Sequence, residues 1–369
     1  MNQSLPESPA TQVVVVGAGP MGLAAAYYLH RRRISYRVLE RRSVGYAWLN
    51  HYDSVRLHTL KQVSALPGLE MPDDFPVFPT ARQVQCYLQD YATHFKLRID
   101  TGVDVLRASY GAGIWRLQTS AGEITCQTLL IATGIWSTPY RPAFPGLDEF
   151  GGCVIHSRDY RNPQTFTGQR VLVVGIGNSG AEIAVELSNA GIDVGISVRS
   201  GVTFVPYPRS AVAMRLMAWS FRNLPRPIGE KLLGRVRRDF GAIGLPRQPG
   251  SILDAFPVVG FELPATVAAR KVTVHAAVRS VTPEAVVFAD GSTEPYDAVI
   301  LATGYRPTIG MVSEYVDCDP QGHPKLQRWR SRRNPNLFCI GFTYPTTEGL
   351  LQSTGRVARE AVAQIESAK

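Results

Sequence analysis

Two glycine-rich turns set 158 residues apart constrain this chain more than any other feature. Val13–Val16 is a short β-branched run that leads into Gly17-Ala18-Gly19-Pro20-Met21-Gly22 and then an Ala-rich stretch from Leu23 to about Arg32. Val171–Val174 leads in the same way into Gly175-Ile176-Gly177-Asn178-Ser179-Gly180 and a helical pattern from Ala181 to Asn189. A lone G-x-G-x-x-G is weak, because glycine-rich turns are common. Each of these follows a predicted buried strand and opens a predicted helix, the setting in which the spacing has a mechanism. The first glycine permits the tight turn, the second lets backbone N–H groups approach a pyrophosphate, and the third lets helix and strand pack closely. The helix N-terminus adds partial positive charge.

The residue at the end of each following strand indicates the nucleotide. Tyr36-Arg37-Val38-Leu39 ends at Glu40, 18 residues after Gly22, where a carboxylate can accept hydrogen bonds from ribose hydroxyls. That suits FAD. Val194–Val198 ends at Arg199 and Ser200, 19 residues after Gly180, where a cation and a hydroxyl suit the 2′-phosphate of NADPH. A solvent-facing arginine at a strand end is the plainer alternative.

A second repeat supports the pairing. Leu129-Leu130-Ile131-Ala132-Thr133-Gly134 and Val299-Ile300-Leu301-Ala302-Thr303-Gly304 each follow β-rich residues with a turn signal, Ala121-Gly122 in one and Asp290-Gly291 in the other. Both read as the strand that returns to the sheet after a small β excursion. The expected fold is therefore α/β, with two Rossmann-like dinucleotide-binding domains in a glutathione-reductase-like arrangement, the second inserted in the first. Residues 1–162 and 306–369 would form the FAD-binding domain. Residues 163–305 would form the NADPH-binding domain, with a basic helical insertion at about 205–250. Asn336–Ile365, with a strand at Leu337–Ile340 and a long helix, would return to the first domain.

Length agrees, since 369 residues exceed what a single core of about 250–300 residues supports. The cysteines, Cys86, Cys126, Cys153, Cys318 and Cys339, are odd in number and contain no C-x-x-C pair, which argues for a reducing compartment and against a dithiol reductase. No Cys/His cluster has metal-ligand spacing, so no metal is expected. Val13–Leu29 is uncharged and long enough to tempt a membrane reading, but its glycines and Pro20 interrupt it where a strand-turn-helix needs them. No positive signal-peptide region precedes it, so a soluble, cytoplasmic protein is the expectation. The formal charge is +9, and +7 of it falls within residues 201–250. That segment reads as two apolar helices, Ala211–Leu224 and about Ile228–Phe240, broken by Pro225 and Pro227. It suits a lid or a solvated face. Membrane-surface contact is possible but less favoured, and nucleic acid less still, because no nucleic-acid module accompanies the charge.

Between the two glycine units lies Phe150-Gly151-Gly152-Cys153-Val154-Ile155-His156-Ser157-Arg158-Asp159-Tyr160, an F-x-G-x-x-x-H-x-x-x-Y pattern. It resembles the fingerprint of flavin-containing and N-hydroxylating monooxygenases, and the likeness extends along nearly the whole chain. It takes in Trp48, Tyr52–His58, Phe75–Thr80, Ala302–Tyr305 and Ile340–Phe342. The chain is similar to bacterial flavin monooxygenases and to the plant ones of auxin synthesis. The resemblance implies that Gly17, Gly19, Pro20, Met21, Gly22 and Glu40 hold FAD. Trp48, Leu57 and His58 would lie near its isoalloxazine, and Thr133 and Gly134 near the domain junction. Gly175, Gly177, Asn178, Ser179, Gly180, Arg199 and Ser200 would hold NADPH. His156 and Tyr160 are implied as coupling residues at the junction, His156 as a linker and not a general base. The family often places Asn near flavin C4a where the alignment sets His58, a departure that bears on how long an oxygenated flavin survives.

The resemblance implies hydride transfer from NADPH to the flavin, a C4a-hydroperoxide, and oxygen transfer to a small sulfur- or nitrogen-containing nucleophile. NADP⁺ would stay bound and exclude water. The alternatives are a Baeyer–Villiger monooxygenase, against which Tyr160 argues because those enzymes usually carry Trp there, or an NADPH oxidase or nucleotide-responsive protein on the same fold. A homodimer is compatible with all of these.

Overall fold

The computed structural model describes residues 11–234, 237–251, 256–343 and 351–367, which divide into two compact units. The first gathers Met1–Leu49, Ser64–Thr138 and Arg306–Lys369, and the second Asn50–Val63 and Pro139–Tyr305.

In the first unit the β-branched run becomes strand Thr11–Val16, flanked in parallel by Tyr36–Glu40 on one side and Gly122–Ile131 on the other. Ile99–Thr101 extends one edge and Leu337–Cys339 the other, both parallel. Val13, Val14 and Val15 are fully buried, as expected of a parallel strand covered on both faces. Helix Pro20–Arg31 covers one face with Leu23, Ala24, Ala25 and Ala26, whose small side chains let it lie close. Helix Thr354–Ser367 packs beside it through Val357, Ala358 and Ala361. The excursion before the return strand is an antiparallel meander, Val105–Gly111, Ile114–Thr119 and Gly122–Ile131, pinned by the buried Trp115 and Leu117.

The second unit repeats the plan. Arg170–Val174 lies between Asp193–Ser197 and Ala298–Leu301, with Val272–His275 and Cys153–His156 at the two edges, all parallel. Its excursion is the meander Val278–Val281, Ala285–Phe288 and Thr293–Pro295. The expected domain boundary at 162 therefore moves to 138/139. The fingerprint strand Cys153–His156 pairs with Ala298–Leu301 and is the edge of the second sheet, whereas in the first sheet Leu337–Cys339 is followed by the short antiparallel strands Arg330–Ser331 and Leu326–Gln327. Residues 50–63 also leave the first unit, because Tyr52 buries its ring in the second core beside Tyr160.

Helix limits shift for stated reasons. Both glycine-turn helices start three residues earlier than expected, at Pro20 and Asn178, since Gly19 and Gly177 are their N-caps and Pro20 supplies no N–H that the first turn would need. In the basic segment Ser210 caps helix Ala211–Asn223. The second helix is Arg226–Gly234, not Ile228–Phe240, because Pro227 fits a first turn and does not break it. The first of these helices exposes Val212 (64%), Leu216 (62%) and Trp219 (51%) at i, i+4 and i+7, an apolar stripe rather than a purely solvated face. No helix among the described residues is long and apolar enough to cross a membrane.

Candidate nucleotide sites

The two glycine turns have the same internal geometry. Gly17 sits at φ +106° and Gly175 at +108°, a region L side chains avoid. A Cβ on Gly22 would lie 1.9 Å from the Gly17 carbonyl oxygen, and one on Gly180 would lie 2.0 Å from that of Gly175. The third glycine of each motif therefore serves helix–strand packing. The second differs in kind, for a Cβ on Gly19 or on Gly177 would meet no protein atom within 4 Å. Each middle glycine thus borders open space at a helix N-terminus, the cradle a pyrophosphate requires, and the residues present fit a dinucleotide in each unit.

Around the first cradle, Glu40 accepts the Ala18 N–H at 2.8 Å through Oε2 and the Arg42 N–H at 2.9 Å through Oε1. This fixes the carboxylate at the strand end while leaving it lone pairs for hydroxyl donors. Pro20 opens the helix and Met21 is buried, with Gly341 close enough that a Cβ there would meet Met21 Cγ at 2.9 Å. Trp48 is half-buried in the short turn Tyr46–Leu49. Thr133 donates its hydroxyl to the Thr308 carbonyl at 2.7 Å, and Gly134 takes φ +73°.

In the second unit Asn178 commits its amide to the chain itself. Its Nδ2 donates to the Pro257 carbonyl at 3.2 Å and its Oδ1 accepts the Val259 N–H at 2.9 Å, so only its backbone N–H faces the cradle chemistry expected of it. Ser179 hydrogen-bonds Tyr52. Arg199 and Ser200 are exposed just past strand Asp193–Ser197.

Leu57 and His58 belong to the second unit, whereas Trp48 belongs to the first. His58 Nε2 bonds Glu182 Oε1, and Tyr52 donates its hydroxyl to the other oxygen of the same carboxylate at 2.5 Å. One turn further along that helix, Glu186 accepts the Tyr160 hydroxyl at 2.9 Å. Burial, reinforced by these carboxylates, raises both tyrosines above the ordinary phenol range. Glu182 and Glu186 were missed in the sequence because only their i, i+4 spacing hints at a shared face. Nothing local says that two tyrosines and a histidine will arrive there.

His156 is fully buried. Its Nδ1 accepts the Arg158 N–H at 3.1 Å, so its Nε2 carries the proton it donates to the Gly304 carbonyl at 3.0 Å. Burial holds it below the ordinary imidazole value, and with both nitrogens occupied it is a tie between two strand ends and not a proton acceptor. Two more histidines of this unit are also held below the ordinary imidazole value. His275, stacked on Phe288, is lowered by burial, and His51 is pushed down to about 4 by burial and the Arg161 guanidinium. A histidine whose folded value is depressed contributes its full stability above the unfolded value near 6.5 and loses it as pH falls toward the folded one. The second unit should therefore lose stability below about pH 6.5. His51 alone would account for up to ~1.4 kcal/mol per pH unit down to its folded value. Thermal unfolding followed from pH 7.5 to 5 checks this, with His51→Gln and His156→Gln expected to flatten the slope. A slope unchanged in both variants would show that burial does not hold these imidazoles below their ordinary value. Among the described residues no cluster of ligating side chains could hold a metal ion.

Two dinucleotide cradles in two successive Rossmann-like units define a flavoprotein oxidoreductase that works with a pyridine nucleotide. Residues 36–323 match the flavin-binding monooxygenase-like family, and residues 15–49 match the NAD(P)-binding Rossmann-like domain. The chain belongs to the flavin-binding monooxygenase-like family and is a flavin monooxygenase with an NAD(P)-binding Rossmann-like domain. It is 33% identical to indole-3-pyruvate monooxygenase YUCCA6 of Arabidopsis thaliana, over 95% of this chain and 90% of the relative. It is 32% identical to indole-3-pyruvate monooxygenase YUCCA1 of Oryza sativa subsp. japonica, over 94% and 90%. The solved flavin-containing monooxygenase from Stenotrophomonas maltophilia superposes with a TM-score of 0.80 at 26% identity, covering 98% of this chain and 99% of that one.

Proposed function

We propose that the enzyme holds FAD in the first unit and NADPH in the second, and uses them to transfer one oxygen atom of O2 to a small organic substrate. The observation that carries this reading is the duplicated cradle, two middle glycines that each border open space at a helix N-terminus. Bound FAD would accept hydride from NADPH and activate O2; the chain's residues bind, orient and hold protons. Gly17, Gly19 and Gly22 would admit the FAD pyrophosphate, and Glu40 would take its ribose hydroxyls. Gly175, Gly177 and Gly180 would admit that of NADPH, with Arg199 and Ser200 at its 2′-phosphate. Glu182 and Glu186 would hold the segment 50–63 and Tyr160 against the NADPH helix, so that nucleotide binding and the placement of His58 are mechanically linked.

Two substrate classes follow from different observations. The fingerprint with Tyr160 favours a soft sulfur or nitrogen nucleophile. The names of the relatives above favour a 2-oxo acid, and identity over nine-tenths of both chains gives this class the greater weight. Oxygen delivered to a 2-oxo acid would give CO2 and the carboxylic acid one carbon shorter. The test is product analysis with NADPH and ¹⁸O2 against indole-3-pyruvate, an alkyl thioether, a tertiary amine and a cyclic ketone. One labelled oxygen in the shortened acid, the sulfoxide or N-oxide, or the ester identifies the class. NADPH consumption that yields only H2O2 with every substrate would overturn the monooxygenase reading in favour of an oxidase.

A further inference from the structure

We infer that Arg247, brought to the end of strand Asp193–Ser197 by the backbone of the basic segment, is a second cation for the 2′-phosphate of NADPH beside Arg199. The inference rests on reading the second unit as the NADPH site. Arg199 and Ser200 leave the strand exposed, and the next residue is Gly201. The Arg247–Gln248 peptide lies directly against it: a Cβ on Gly201 would fall 1.9 Å from the Arg247 carbonyl oxygen and 2.3 Å from the Gln248 nitrogen. Val202 then donates its N–H to the Pro246 carbonyl at 2.9 Å and forms a parallel bridge with Arg247. Leu245, buried in the core of the unit, anchors this return. The backbone of Arg247 is thus fixed beside the turn that carries Arg199 and Ser200, while its side chain is exposed.

Two other arginines of the basic segment are engaged elsewhere. The Arg238 guanidinium lies 4.8 Å over the Phe261 ring, and Arg215 donates to the Gln62 carbonyl at 3.0 Å. A phosphate monoester carries close to two negative charges at neutral pH and presents three acceptor oxygens, more than one guanidinium fork can satisfy. Gly201 belongs to the same device, since only a residue without a Cβ lets the Arg247 peptide approach the phosphate-reading turn.

The test is calorimetric binding of NADP⁺ and NAD⁺ to the FAD-loaded protein at two salt concentrations. Arg247→Ala should weaken NADP⁺ about fivefold and reduce its salt dependence, with NAD⁺ unchanged. Arg247→Lys should restore part of the loss. Gly201→Ala keeps the charge but displaces its backbone, and should weaken NADP⁺ with NAD⁺ again unchanged. If Arg199→Ala weakens NADP⁺ and Arg247→Ala does not, the role of Arg247 is refuted while the NADPH site stands. If Arg247→Ala weakens NADP⁺ and NAD⁺ equally, Arg247 supports the fold and reads no phosphate, which also overturns the inference. If neither arginine variant alters NADP⁺ binding, the reading of the strand end fails together with it.

Discussion

Gly19→Val protein should purify folded and colourless. A Cβ at this position meets no protein atom within 4 Å, so the substitution costs little in packing, yet the added isopropyl group fills the space where backbone N–H groups must approach the pyrophosphate. The contrasting variant is Gly22→Ala. Its Cβ would lie 1.9 Å from the Gly17 carbonyl oxygen, and forcing helix and strand apart should destabilise the unit by about 1–3 kcal/mol or more. Flavin absorbance and thermal unfolding, measured on both proteins, separate blocked binding from broken packing. Full flavin content in folded Gly19→Val protein would remove the first cradle from the site.

Gly177→Val should give the complementary phenotype, a yellow protein that NADPH cannot reduce. The same geometry applies in the second unit, with open space at Gly177 and a third glycine, Gly180, at which a Cβ would fall 2.0 Å from the Gly175 carbonyl oxygen. Loss of two charge-assisted hydrogen bonds to the pyrophosphate, each worth roughly 1.5–3 kcal/mol, should slow anaerobic flavin reduction by at least about 100-fold at limiting NADPH. Dithionite, which needs no nucleotide site, should reduce the variant as it reduces the parent protein. Equal rates with NADPH would place the pyridine nucleotide elsewhere.

These paired expectations depend on features that were legible in the sequence to different depths. The glycine motifs, the strands before them and the return strands at 129–131 and 299–301 were readable because their constraints are local. A β-branched run, a turn needing φ above zero and a small-residue helix are properties of contiguous residues. The basic segment was legible as two helices, though Pro227 proved a first-turn residue and not a breaker. The fingerprint was legible as a pattern, but its strand Cys153–His156 had no sequence signal assigning it to one sheet or the other. That depends on which edge offers free backbone groups, and Ala298–Leu301 supplied them.

The sequence by itself determined that this chain builds two nucleotide cradles and, through Glu40 and Arg199, suggested what each would accept, because backbone permissiveness and charge at a strand end need no distant partner. Only the tertiary structure decided how the remaining site residues are employed. His156 became a neutral tie with both nitrogens engaged, Asn178 gave its amide to residues 257–259, and Glu182 joined Tyr52 to His58 across more than a hundred residues of chain. The physical reason is that a buried polar group must find a hydrogen-bonding partner, and which partner it finds is set by packing between segments far apart in sequence.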